Sequence, residues 1–171
     1  MQSPPGAKGL IFLPYLLGER SPRWNPDTSG SFLGIRMEHK KCDYVRAVLE
    51  GIAMNLSVIL EAQREHMEGK ELVLTGGGAK GDVLAQILSD VLGVPLHRLD
   101  HVETATSIAA AVIAGVGVGV FKDFSVIHQF VKKEDDFCPD GGNSQVYKRQ
   151  KKLFEQGYRC LKEYYRLDSS L

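Results

Sequence analysis

Cysteine is scarce in this chain: Cys42, Cys138 and Cys160 are widely spaced, with no CxxC pair and no adjacent histidine. That excludes a disulfide framework and offers no zinc-site spacing, so reduced thiols in a cytosol are expected. Net charge is lacking as well, because 21 lysines and arginines balance 21 aspartates and glutamates. No overall field therefore draws the chain to nucleic acid or to an anionic membrane. The densest basic run, Lys148, Arg149, Lys151 and Lys152, alternates with apolar positions on an expected helix and reads as a solvated face. The opening residues MQSPPGAKG lack the charged-then-apolar build of a signal peptide, which agrees with a cytoplasmic location. One stretch, Thr104 to Phe121, has no charged residue over most of a bilayer's thickness. A membrane span is rejected there, because Gly115, Gly117 and Gly119 alternate with valine after Ala109, Ala110 and Ala111. That pattern fits a buried small-residue helix that closes in a glycine cap and loop.

What is present suits a folded domain. Hydrophobic residues make up 43% and charged residues 25%, far from the composition of a disordered chain. A chain of this length buries roughly two thirds of its unfolded surface. Gly9 to Arg36 is rich in turn formers and aromatics without a sustained period, which predicts a short strand and a long ordered loop lining a cleft or an interdomain surface. From Asp43 the apolar positions Val45, Val48, Leu49, Ile52, Leu56, Ile59 and Leu60 recur at three and four, predicting a long amphipathic helix that ends near Gly69. Glu71 to Thr75 predicts a strand, Asp82 to Leu92 a helix, and Pro95 to Leu99 a second strand. Thr106 to Ala114 and Gln145 to Tyr165 predict two more helices, with Asp135 to Ser144 as the flexible connection. Strands alternating with helices imply an α/β layered fold.

Between the first of those strands and its helix lies Thr75-Gly76-Gly77-Gly78-Ala79-Lys80. Glycines in that position let backbone amides approach a ligand, and a helix start adds free N–H groups that favour anions. The competing explanation is a tight turn that needs positive φ and nothing more. A Walker loop is excluded, since Lys80 is followed by Gly81 and Asp82 rather than by a hydroxyl residue. A dinucleotide-binding fold stands as an alternative, because Gly76, Gly78 and Gly81 fit GxGxxG and Asp100 ends the next strand. Against it, a long loop and helix precede the glycine strand and no third parallel strand is evident.

The order of motifs resembles the C-terminal domain of the FGGY carbohydrate kinases. The matching segments are LPYLLGERSPRWNP from Leu13, GSFLGI from Gly30, RAVLEGIAMNL from Arg46, TGGGAK from Thr75, QILSDVLGVPL from Gln86 and ETATSIAAAVIAGVGVG from Glu103. The resemblance implies an actin-like, ribonuclease-H-like ATPase fold, with residues 1–171 forming a single, partial C-terminal domain. The N-terminal sugar-binding domain, its phosphate loop and the family's catalytic aspartate are expected to lie outside this chain. The second domain's opening strands and phosphate-contacting turn are expected to be absent too. Ala109 stands where the family has glycine, and Tyr44 where it has an aliphatic residue.

By the same resemblance, Gly76, Gly77, Gly78 and Ala79 would run along a bound ATP or ADP, with Lys80 and Asp82 close to its adenosine part. Lys80 is equally readable as a solvated lysine, and Asp82 as an N-terminal helix cap. Glu19 and Arg20 would form a charge-assisted pair, ordering a cleft wall or serving only as a local salt bridge. Glu103 would be a capping carboxylate at the third helix. The implied reaction moves the γ-phosphoryl group of ATP, with magnesium held mainly by the missing domain, to a hydroxyl of a ketopentose such as xylulose. No catalytic residue is assigned to this chain, which alone is expected to be inactive. Its partners would be nucleotide, a sugar held by the missing domain, and possible second copies pairing at an unfilled sheet edge. A non-catalytic remnant, in which the glycine turn is only a turn, is the remaining alternative.

Overall fold

The computed structural model describes residues 2–63 and 72–168. Its first sheet is a hairpin-like pair in which β1 (Ile11–Leu13) runs antiparallel to β2 (Ser31–Leu33), with Ile11 opposite Leu33 and Leu13 opposite Ser31. Sequence reading anticipated one strand in this segment, and the second appears because Phe32 stacks against Phe12 at 4.6 Å between ring centroids. Every residue of β1 is buried. Helix α1 (Lys41–Ala62) packs across it, and Gly51 makes this close approach possible. A Cβ at Gly51 would lie 2.3 Å from the carbonyl oxygen of Phe12, so glycine is required by packing. The end expected near Gly69 lies outside the described residues.

A second sheet follows, in the order β3-β4-β5. Strand β3 (Leu72–Leu74) is parallel to β4 (Leu96–Leu99), and helix α2 (Asp82–Leu92) connects them. The α2 limits coincide with those anticipated, because its apolar stripe and Gly93, in the left-handed conformation at φ 68°, mark both the face and the end. Strand β5 (Lys133–Phe137) is antiparallel to β4. This strand corrects the expectation of a flexible connection over residues 135–144. Its sequence, KEDDF, has little strand propensity, and cross-strand side-chain hydrogen bonds compensate. His97 stands opposite Asp136 with Nδ1 and Oδ1 2.5 Å apart, and Arg98 stands opposite Asp135 with Nε donating at 2.8 Å.

Two apolar clusters weld these parts together. Ile11, Leu13, Tyr15, Met54 and Val58 meet Tyr147, Phe154, Tyr158 and Tyr165 of the terminal helix, which runs over Gly141–Asp168, longer than expected at both ends. Ala53, Ile87, Leu88 and Leu96 join α1 to α2 and the second sheet. Each fully buried Leu or Phe contributes about 1.5–3 kcal/mol.

Buried polar groups add a third connection. Glu50 accepts from Gly6 N (2.8 Å), Arg46 Nε (2.7 Å) and Tyr147 Oη (3.1 Å). Arg46 also donates to Ser3 O (2.9 Å) and Tyr147 Oη (2.9 Å), so the N-terminal segment, α1 and the last helix share one network. Burial pushes the Glu50 carboxyl above its ordinary value, while the bonds from Arg46 and Gly6 pull against that shift. In the anticipated basic run, Lys148, Arg149 and Lys152 are exposed, whereas Lys151 is mostly covered and pairs with Glu61.

Helix α3 (Ala105–Gly117) departs from expectation in a different way. It was anticipated as buried, yet Val112 is its only buried residue and Ile113 is 61% exposed. Its main contacts are with the turn at Phe124–Val126 and with the short α4 (Ile127–Phe130) that follows it. No described element lies over its outer face, so its apolar composition does not translate into burial. Among the described residues no helix is long and apolar enough to cross a membrane.

Candidate nucleotide-binding site

The glycine turn leaves β3 and enters α2 within a few residues. Gly76 has φ 86° and ψ 177°, a conformation open essentially to glycine alone. Its N–H donates to Val102 O at 2.8 Å, and Thr75 Oγ1 donates to the same carbonyl at 3.3 Å. Gly77–Lys80 then forms one 3-10 turn, with Ala79 N donating to Gly76 O at 3.0 Å and the Ala79 side chain buried. Gly81 precedes α2, and no side chain caps that helix start. The first-turn N–H groups of α2 are thereby left to solvent or to a ligand.

Backbone conformation explains Gly76, but it does not explain its neighbours. Gly77 and Gly78 do not occupy the positive-φ region, and a Cβ on Gly77 would meet nothing within 4 Å. A Cβ on Gly78 would meet only Leu84, at an ordinary 3.7 Å. Among the described residues, neither strain nor crowding therefore demands glycine at these two positions.

Arg98 of β4, which sequence reading missed, holds the turn from below. Its Nη1 donates to Asp82 Oδ1 (2.7 Å), Ala79 O (3.2 Å) and Lys80 O (3.4 Å), and its other nitrogens hold Asp135. The guanidinium also lies 5.3 Å from the centre of the Phe137 ring. Hydrogen bonds donated to Asp82 and Asp135 raise the Arg98 pKa, keeping a fixed cation under the turn. No local signal marks this role, because the partners of Arg98 lie on β5 and on the turn.

Other anticipated residues find different partners. Asp82 is the first residue of α2, and its carboxylate faces Arg98 rather than capping the helix. Lys80 and Glu103 form an exposed ion pair between the turn and the start of α3, in place of the expected capping role for Glu103. Glu19 is buried and accepts from the main-chain N–H of Arg23 at 3.1 and 3.3 Å; among the described residues no ion pair joins it to Arg20. Asp100 accepts from Lys132 N at 3.0 Å. Among the described residues no group of three or more His, Cys, Asp or Glu could hold a metal ion.

A parallel strand pair bridged by a helix, with a glycine turn at the helix start and an antiparallel third strand, does not build the doubly wound dinucleotide fold. It builds the α/β arrangement of sugar kinases. The solved xylulose kinase of Lactobacillus acidophilus superposes with a TM-score of 0.85 at 30% identity, over 95% of this chain and 33% of its own. A Plasmodium falciparum glycerol kinase solved with ADP superposes with a TM-score of 0.74 at 27% identity, over 90% of this chain and 31% of its own. Residues 1–118 match the C-terminal domain of the FGGY family of carbohydrate kinases, and the chain belongs to that family. It is 38% identical to the xylulose kinase of Staphylococcus epidermidis over 92% of this chain and 32% of that protein. It is 34% identical to a Bacillus licheniformis gluconokinase over 94% and 32%. The chain thus spans about a third of the length of the relatives it matches.

Proposed function

We propose that Gly76, Gly77, Gly78, Ala79 and Lys80, with Asp82, form the nucleotide-binding part of a carbohydrate kinase, taking ATP before transfer and ADP after it. The observation that carries this reading is the pair Gly77 and Gly78, whose lack of a side chain no backbone angle or internal contact requires. A ligand lying along the main chain does require it. The uncapped start of α2 supplies N–H groups and a favourable dipole for that ligand. Arg98 fixes the carbonyls of Ala79 and Lys80, so the amides are positioned before the nucleotide arrives.

The reaction is transfer of the terminal phosphoryl group of ATP to a sugar hydroxyl: the bridging P–O bond breaks, a new P–O bond forms, ADP leaves and the hydroxyl proton passes to a base. D-xylulose, giving xylulose 5-phosphate, is the substrate we favour from the relatives. Base, magnesium ligands and sugar pocket belong to the remaining two thirds of such a kinase, and the 171-residue chain alone is inactive in this account. We place the protein in the cytoplasm and allow pairing of two copies at a sheet edge.

Calorimetric titration with Mg-ATP, ADP and NAD tests the reading. Saturable binding of ATP or ADP and none of NAD is expected, and NAD binding in preference to adenine mononucleotides would overturn it.

A further inference from the structure

Away from the glycine turn, the loop after β1 meets the last helix around an open cleft of about 490 Å³, lined by Arg23, Trp24, Asn25, Tyr158, Arg159 and Lys162. A volume of that size holds a small organic molecule. The lining combines three cations with two aromatic rings. Arg23 Cζ lies over the Tyr158 ring, 4.0 Å from its centre, and Nη1 donates to Tyr15 Oη at 3.0 Å. Lys162 Nζ is 5.9 Å from the centre of the same ring, and Asn25 Nδ2 donates to Tyr158 Oη at 3.4 Å. Among the described residues neither Arg23 nor Lys162 pairs with a carboxylate, and Arg159 has only a 3.6 Å contact with Glu155. The lining therefore carries three cations and no carboxylate, with Glu155 beside Arg159 and the Glu19 carboxylate on the main-chain N–H of Arg23 as the neighbouring anions.

Trp24 is the only tryptophan of the chain, and it is 75% exposed at the cleft. Its backbone sits at φ 50°, a genuine outlier for so bulky a residue. An exposed indole on a strained backbone, beside a guanidinium held over Tyr158 and bonded to Tyr15, places an apolar surface and anion donors side by side. Planar guanidinium groups bind phosphate oxygens in pairs, and an indole covers the carbon skeleton of a small ligand.

We infer that the Arg23–Trp24–Lys162 cleft is a second binding site, for a small organic phosphate monoester such as a sugar phosphate. It is independent of the nucleotide reading, because it shares no residue with the glycine turn. Occupancy would tie the loop at residues 23–25 to the last helix through one ligand.

Trp24 itself reports on the site. Intrinsic fluorescence of the 171-residue chain is followed during titration with ribose 5-phosphate, ribose and inorganic phosphate at constant ionic strength. A saturable change with ribose 5-phosphate is expected, with none from ribose and a weaker response to inorganic phosphate. Lys162→Gln and Arg159→Gln, both on the exposed side of a helix, should each weaken binding by about tenfold without changing the circular dichroism. Gly78→Asp should leave the response intact, which separates this site from the turn. No change in Trp24 emission, an equal change with ribose, equal strength for inorganic phosphate, or unaltered half-saturation in both variants would overturn the proposal.

Discussion

Gly51 and Gly77 are both glycines flanked by regular structure, and they answer to opposite constraints. Gly51 sits where α1 crosses the buried strand β1, and any side chain there would run into the carbonyl of Phe12. Gly77 sits in the open turn before α2, where a side chain would touch nothing. The first glycine is required by packing within the fold, and the second is not. The same contrast separates the region around α1, tied by a buried ionic network, from the turn, held by one arginine and an exposed ion pair.

Breaking the buried side of that comparison should have the largest effect. Glu50→Ala removes the acceptor that joins Gly6, Arg46 and Tyr147 in a covered site, where breaking a buried ion pair costs about 3–5 kcal/mol. Chemical denaturation should show the loss. Gly51→Ala comes next, with about 1–3 kcal/mol from overpacking, read as a lower melting temperature. Acid provides a third route. Hydrogen bonds from Lys40 N and Ser3 Oγ, with Lys8 nearby, hold the Asp43 carboxyl well below the usual aspartate range. A depressed folded pKa means that this stability is complete above the ordinary aspartate pKa near 3.8 and is lost as pH falls below it. Asp43→Asn should flatten the acid limb of a pH–stability curve.

At the turn the order of effects reverses. Arg98→Met should weaken ADP binding by about tenfold, because the carbonyls of Ala79 and Lys80 lose their anchor, while the melting temperature moves less than in Glu50→Ala. Gly77→Ala should change stability by no more than about 0.5 kcal/mol and still reduce nucleotide affinity. If Gly77→Ala destabilised the chain as much as Gly51→Ala, the distinction between the two glycines would fail.

The parts that were legible in the sequence are those with a strong local signature. Helix α2 was readable to the residue because its stripe, its glycine start and Gly93 agree, and the glycine turn because four small residues follow an apolar run. Strand β5 was not readable, since KEDDF is held by partners 34 or more residues earlier in the chain rather than by its own propensity. Arg98 was missed for the same reason: a lone arginine in a strand looks like surface until Asp135 and the turn carbonyls are placed around it. The apolar character of α3 was legible and its exposure was not, because burial depends on what covers a helix as well as on its composition. Glu19 was expected to pair with Arg20 and instead accepts from the main-chain N–H of Arg23, as a buried carboxylate can be satisfied by the backbone as well as by a neighbouring arginine.

The central claim is that a nucleotide lies along the turn, and amide-resolved NMR of the labelled chain during ADP titration tests it most directly, since it registers weak binding as well as strong. The account predicts that the largest shifts fall on the amides of Gly76 to Lys80 and on Asp82, and that Gly78→Asp abolishes them while the spectrum of the α1–β1 core stays unchanged. Shifts concentrated elsewhere, or an unchanged spectrum at millimolar ADP, would contradict it.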